Sequence, residues 1–346
     1  MSGGPSSRRP TLPRWLEWAI LLVCTAVLGS AKPDDAQAAA SDSAATAPIA
    51  APAPATFPAP RLGGYIQLRE AAQERVGLTA TLNRARFSMD GALPARFTYR
   101  FLVELEASAG ARNPATVSLR EAIIKWSPAP FAITAGQFKT PFTREYLIPV
   151  PLVETADLAT VVDSLAPKYD VGVTGEVAYR TLGTLILGVF NGEGQNATAN
   201  RDSLLMLVAR LVATPIPQLA LGGSLTRDGP DSLRWGLEAN VEQNGAVVRA
   251  EYVARHRRGR ARDLDDSGWY VFGSYRVTPR VQAIARQENY QRPQLGVSKR
   301  LRGTTLGANI EIAPNRVRLL LEGLRRTAGP GTSHTTTFIA QAQVRF

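Results

Sequence analysis

The sequence predicts an all-β fold, a transmembrane antiparallel β-barrel of 16 strands, and three observations carry that prediction. Apolar and polar residues alternate with a period of two along almost all of the chain beyond residue 60, the signature of strands with one face in each of two solvents. The connections between these segments are short and long by turns. The last segment stops on an aromatic: Thr336, Phe338, Ala340, Ala342, Val344 and Phe346 share one face, and Thr337, Gln341, Gln343 and Arg345 share the other. An apolar face opposite a polar one, finishing at a C-terminal Phe, is how outer-membrane barrels end.

At the other end, Arg8, Arg9 and Arg14 precede an apolar run from Ala19 to Leu28 and then Gly29-Ser30-Ala31, so residues 1–31 read as a secretory signal peptide. That run is short for a membrane helix, and no other stretch reaches the roughly 20 apolar residues a helical span needs. Cys24 is the only cysteine and lies inside the signal, which leaves the mature chain without disulfides. Residues 32–60 are almost wholly Ala, Pro, Ser, Asp and Thr. Such a composition cannot bury a core, and we expect a disordered periplasmic segment there. The net charge is +11, and residues 1–60 hold four cations and four acids, so the whole excess lies in residues 61–346. That length suits one large domain.

The strands follow in order. From Ala95 to Ala107 the odd positions include Phe97, Tyr99, Phe101, Val103 and Leu105, while Arg96, Arg100, Glu104 and Glu106 alternate with them. Leu233, Trp235, Leu237 and Val241 stand against Arg234, Glu238 and Glu242, and Val248 and Tyr252 against Arg249 and Glu251. The first half of the barrel is expected over 63–70, 78–90, 94–107, 116–127, 130–138, 169–180, 183–191 and 203–213. The second half is expected over 217–226, 232–242, 245–255, 268–277, 280–290, 302–312, 316–326 and 335–346. Alternate connections are tight, as at 91–93, Pro128-Ala129, Thr181-Leu182, 214–216, Gln243-Asn244, Thr278-Pro279 and 313–315. Those between them are mostly longer, as at 139–168, 191–202, 256–267 and 291–301. Short periplasmic turns with long external loops place both mature termini in the periplasm. Trp235, Tyr252 and Trp269 then fall near one membrane interface, and Trp126, Tyr179, Tyr275 and Phe346 near the other, as two aromatic girdles.

Ordered short blocks add a resemblance. Gly136-Gln137-Phe138-Lys139-Thr140-Pro141-Phe142, Glu145-Tyr146-Leu147, Asp163-Ser164-Leu165-Ala166-Pro167, Asp170-Val171-Gly172-Val173 and Gly188-Val189-Phe190-Asn191-Gly192-Glu193-Gly194 resemble the phosphate-selective porin O/P family. The likeness is densest over residues 136–202, and weaker similarity, as at Asn83-Arg84-Ala85-Arg86, extends it over the barrel. It implies a 16-stranded, typically homotrimeric outer-membrane porin whose third external loop folds inward and lines a constriction with Arg and Lys.

Parity directs many cations to the water-facing side, among them Arg84, Arg86, Arg96, Arg100, Arg234, Arg249, Arg286 and Arg318. Guanidinium offers a rigid fork of donors to oxyanions and keeps its charge at any relevant pH, and rings of Arg or Lys are how anion pores select. Glu104, Glu121, Glu238, Glu251, Glu288 and Glu322 share that face. Charge pairing along the wall is therefore the structural alternative for any single Arg. The segment 139–168, long and partly apolar at Leu147-Ile148-Pro149-Val150-Pro151, suits packing inside a pore and brings Lys139, Arg144 and Lys168 to the expected constriction.

Basic segments at His256-Arg257-Arg258-Gly259-Arg260 with Arg262, and at Arg292 with Lys299, Arg300 and Arg302, would concentrate anions at the mouth or grip lipopolysaccharide phosphates. Catalysis has little to build on. The two histidines, His256 and His334, lie in predicted loops, and Ser333-His334 has no orienting acid. The sequence thus points to a passive channel for small anions, phosphate or polyphosphate among them. It needs no cofactor or metal and has no nucleic-acid partner. Its expected partners are outer-membrane lipid, lipopolysaccharide and, through the terminal strand, the barrel-assembly machinery. The alternatives are a general non-selective porin and a structural or adhesion barrel with a plugged pore.

Overall fold

A computed structural model describes residues 58–106, 116–179, 183–259, 263–294, 297–329 and 334–346. The expected signal peptide, most of the Ala/Pro-rich segment, the Thr181-Leu182 turn, Arg260 and Arg262 lie outside these residues, as does the side chain of Lys299. The strands are β1 (Arg61–Gln73), β2 (Gly77–Leu93), β3 (Phe97–Glu106), β4 (Thr116–Trp126), β5 (Phe131–Lys139), β6 (Tyr169–Tyr179), β7 (Gly183–Phe190) and β8 (Met206–Ile216). They continue as β9 (Leu219–Asp228), β10 (Ser232–Gln243), β11 (Ala246–Arg257), β12 (Leu264–Thr278), β13 (Val281–Gln294), β14 (Val297–Ala313), β15 (Val317–Ala328) and β16 (His334–Arg345).

Each strand pairs antiparallel with its neighbours in sequence, and β1 pairs with β16, so the 16 strands form one closed barrel. Closure leaves no sheet edge whose backbone groups would go unpaired in lipid. The seam runs from Tyr65 opposite Arg345 to Gln73 opposite Thr337. Phe346 extends it, exchanging backbone hydrogen bonds with Gly64 at 3.0 and 3.1 Å while its ring packs against Phe87.

The alternation sorts side chains as the sequence requires. Leu68, Phe87, Phe101, Ile124, Leu237 and Phe338 are exposed on the outer surface, while Gln67, Arg86, Glu104, Asn240 and Gln341 are buried. On a water-soluble protein so continuous an apolar exterior would drive association; around a closed barrel it meets hydrocarbon. No helix among the described residues is long and apolar enough to cross a membrane. Exposed Trp126, Phe131, Tyr179 and Tyr275 mark one rim and Trp235, Tyr252 and Trp269 the other.

Several connections differ from expectation. The β2–β3 turn falls at 94–96 rather than 91–93, because Gly91 and Leu93 still pair with Tyr99 and Phe97. The expected 256–267 loop is shortened by pairing of Arg257 with Leu264. The β8–β9 turn falls at Pro217-Gln218 rather than 214–216, because an irregularity between Ala213 and Ile216 absorbs Pro215, which has no N–H to give the ladder. The β10–β11 turn is Asn244-Gly245, both at positive φ, the conformation a two-residue hairpin demands. The expected 291–301 loop is mostly ladder, with Arg292 opposite Lys299 and Gln294 opposite Val297. Beyond the lipid both faces are wet, so pairing continues there without any hydropathy pattern to announce it.

Candidate functional site

After Lys139 the chain leaves the wall and returns at Tyr169. Between them lie a helical turn α1 (Arg144–Leu147), a 3-10 turn (Val150–Leu152) flanked by Pro149, and α2 (Thr160–Leu165). Its apolar side chains Phe142, Val161, Val162 and Leu165 are buried against Val253, Tyr270, Phe272, Ile284 and Tyr290 of β11, β12 and β13. These wall residues sit at inward positions, where simple alternation would call for polar side chains. Each fully buried aliphatic or aromatic group contributes roughly 1.5–3 kcal/mol, so this contact alone is substantial. Gly268 makes room for it: a Cβ there would lie 2.9 Å from Val161 and 2.4 Å from the Asn289 carbonyl.

Charged wall residues complete the docking, largely through backbone atoms of the segment. Glu251 accepts from the amides of Arg144 and Glu145, Glu322 from that of Ala156, and Glu288 from the amide and hydroxyl of Thr160. In the other direction Arg318 donates to the Val153 carbonyl at 2.9 Å and Arg69 to the Ala156 carbonyl at 2.8 Å and to Asp157 at 2.9 Å. Arg286 reaches Thr155, the Asp157 carbonyl and, at 3.4 Å, Glu145. Burial pushes the Glu145 carboxyl up from its ordinary range, against the pull of Arg286.

On its opposite side the segment bounds a cavity of about 410 Å³ whose far wall is β1 to β5. Two wall irregularities shape that far wall. Asn83 is an extra residue in β2 opposite the Gln67/Leu68 step, and Arg120 an extra residue in β4 opposite Leu102/Val103. Bulges re-aim side chains; here they add Arg120 to the cavity beside Arg84 and Arg86. All three guanidiniums converge on Glu104, Arg120 at 2.5 Å, Arg86 at 2.8 Å and Arg84 at 3.9 Å. Lys139 and Lys168 also line the cavity, and Asp163 is the other carboxylate there among the described residues.

Apart from Arg286 and Arg318, already placed in the docking, the inward cations singled out by sequence separate. Arg84, Arg86, Lys139 and Lys168 come together at the cavity, with Lys139 donating to the Tyr146 and Ile148 carbonyls and Lys168 3.1 Å from Asp163. Arg249 instead clamps the segment through Glu154 at 3.1 Å, under the ring of Phe272. Arg144 begins α1 and does not line the cavity. Arg100 is paired along the wall with Asp90 and Glu121 at 2.9 and 2.8 Å, and Arg234 lies 3.8 Å from Asp228. Arg96 falls in the β2–β3 turn with φ 67°, outside any strand. Arg120 escaped the parity argument because its bulge shifts the period by one. Arg69 lay on the inward face with Tyr65 and Gln67 and could have been found by parity.

The short sequence blocks prove to be scaffold for this wall. Gly136 has φ 126°, and a Cβ there would stand 2.0 Å from the Ala122 carbonyl oxygen, so only glycine fits. Buried Gln137 donates to the Leu119 carbonyl at 2.8 Å, satisfying backbone beside the β4 bulge, and accepts from the Asn196 amide at 2.7 Å. Gln195 donates to that same carbonyl and accepts from Arg120. Asp170 accepts from the amides of Val171 and Gly192, both at 2.7 Å, which fixes the Asn191-Gly192 turn.

Within the basic segment that begins at His256, His256 lies 2.7 Å from Asp265 and Arg257 3.6 Å from Asp266, which also meets Arg255. Exposed His334 faces Thr327 across the ladder. Neither histidine has a nucleophile aligned with it among the described residues.

Comparison with known proteins agrees with this architecture. The family model of phosphate-selective porin O and P matches residues 67–226. No match is found among curated protein sequences. Structural neighbours are porins. The anion-selective porin from Comamonas acidovorans superposes with a TM-score of 0.65 at 12% identity, covering 83% of this chain and 99% of that one. The in-vitro folded trimer form of OmpT, an outer membrane protein of Vibrio cholerae, gives 0.62 at 12% identity over 83% and 99%. Salmonella typhi OmpF in complex with daunomycin gives 0.63 at 9% identity over 83% and 97%. At such identities the likeness is one of fold. With the family match it supports an outer-membrane, multi-pass barrel that is a channel rather than an enzyme.

Proposed function

We propose that this protein is a passive diffusion porin of the outer membrane that prefers small anions. One observation carries the preference: among the described residues Arg84, Arg86 and Arg120 converge on the carboxylate Glu104 on one wall of the cavity beside the docked segment. Arg84 and Arg86 against Glu104 already leave a local positive excess that favours anions and disfavours cations, and guanidinium forks match oxyanions. Lys139 adds to that excess, Lys168 is balanced by Asp163, and Arg100, Arg234 and Arg249 serve the wall and the docking. Phosphate or polyphosphate is a natural cargo for such a cluster, in line with the family match. The neighbours' trimer form favours a homotrimer here, and the turn pattern favours periplasmic termini. The test is the reversal potential of the purified protein in a planar bilayer under a potassium chloride gradient. Anion preference is expected, and cation preference refutes the reading. Millimolar phosphate should lower chloride conductance; no change removes phosphate from the cargo while leaving anion preference standing.

A further inference from the structure

The two walls of the cavity are chemically unlike. The barrel side carries the guanidinium cluster on Glu104. The segment side presents Tyr146, Ile148, Val150 and Leu158. Tyr146 and Leu158 also touch the docking core with Phe142, Val161, Val162 and Leu165, but Ile148 and Val150 lie outside it, so docking does not explain their place on the cavity wall. Leu152, on the 3-10 turn, is 49% exposed. A pore built for hydrated inorganic ions gains nothing from aliphatic side chains on its wetted wall, since such an ion keeps its water there. An anion with a hydrocarbon body gains from both walls, its head on the arginines and its body against the aliphatic residues. The volume of about 410 Å³ falls within the roughly 300–1,000 Å³ of small-molecule sites.

We infer that the cavity takes amphipathic organic anions, with aryl carboxylates as the type. The inference rests on the anion-channel reading and names its cargo class. The arrangement orients the solute transversely: carboxylate toward Arg84 and Arg120, ring toward Ile148 and Val150. Contact on both faces is loose enough to let the solute leave, as conduction requires.

The experiment compares benzoate with acetate, two monovalent carboxylates that differ in the apolar body, as blockers of chloride current through wild-type protein in planar bilayers. Benzoate should halve the current at about tenfold lower concentration, the yield of removing about 55 Å² of apolar surface from water. In the double variant Ile148→Thr, Val150→Thr the acetate-to-benzoate concentration ratio should fall toward one. The ratio is internal to each preparation and so independent of how many channels insert. Equal blocking concentrations in an anion-selective wild-type pore overturn the inference and leave the channel reading intact. An undiminished ratio in the folded double variant also overturns it. A cation-selective wild type overturns the channel reading, and this inference falls with it.

Discussion

Replacing Glu104 by Gln removes the one negative charge shared by Arg84, Arg86 and Arg120 while keeping an acceptor oxygen within reach of Arg86 and Arg120. The size of the effect follows from Coulomb's law. A monovalent ion passing about 6 Å from that carboxylate feels about 0.7 kcal/mol even at the dielectric constant of water. Anion and cation energies move in opposite directions, so the permeability ratio shifts by about 1.4 kcal/mol, or about tenfold. At about 0.1 M salt, where the Debye length is about 10 Å, screening leaves about a fourfold shift toward anions. Reversal potentials of wild type and E104Q, measured in the same low-salt gradient, read this directly. Heat-modifiable migration on gels verifies that the variant barrel is folded. A folded E104Q whose permeability ratio is unchanged, or moves toward cations, refutes the view that this carboxylate sets the charge of the passage.

Arg286→Ala should loosen the docked segment, because it leaves Glu145 buried without its cationic partner at a cost of about 3–5 kcal/mol; single-channel conductance should rise and residues 144–165 should become open to protease. Unchanged conductance and protection would show that the apolar contacts suffice. Gly136→Ala forces a side chain into positive φ and against the Ala122 carbonyl, costing roughly 1–3 kcal/mol from backbone strain alone; urea titration of the folded barrel should show it, and equal midpoints would contradict it. Deleting Phe346 removes its paired backbone contact with Gly64 and its ring from Phe87, so membrane assembly should fall while secretion persists; normal assembly of the deletion would count against a closing role.

The barrel was legible because lipid imposes period two on every spanning segment, as in β3 and β10, and tight turns such as Asn244-Gly245 interrupt it. Where lipid ends, so does the signal: the sequence has the look of a loop across the outer parts of β13 and β14, although Arg292 and Lys299 pair across them. The site was only half legible. Arg84 and Arg86 follow parity into the cavity, but Arg120 arrives by a bulge, which a strict period cannot register. Arg249 and Arg286 also point inward as parity says, yet parity carries no information on whether an inward guanidinium meets solvent or a docked segment. A signal for docking was nevertheless present. Runs such as Trp269-Tyr270-Val271-Phe272 and Leu319-Leu320-Leu321 are apolar on both faces, and their inward members Tyr270, Phe272 and Leu320 pack against the returning chain.

The docking also has a consequence for how this passage could change its cargo. Glu251, Glu288, Glu322, Arg69 and Arg318 grip mostly main-chain amides and carbonyls, and main-chain atoms are the same whatever side chain they bear. Ile148 and Val150, whose side chains line the cavity, take no part in that grip or in the apolar docking core. Exchanging them would refit the passage to a new solute without unfastening the segment, as a lock is rekeyed while its housing stays in the door.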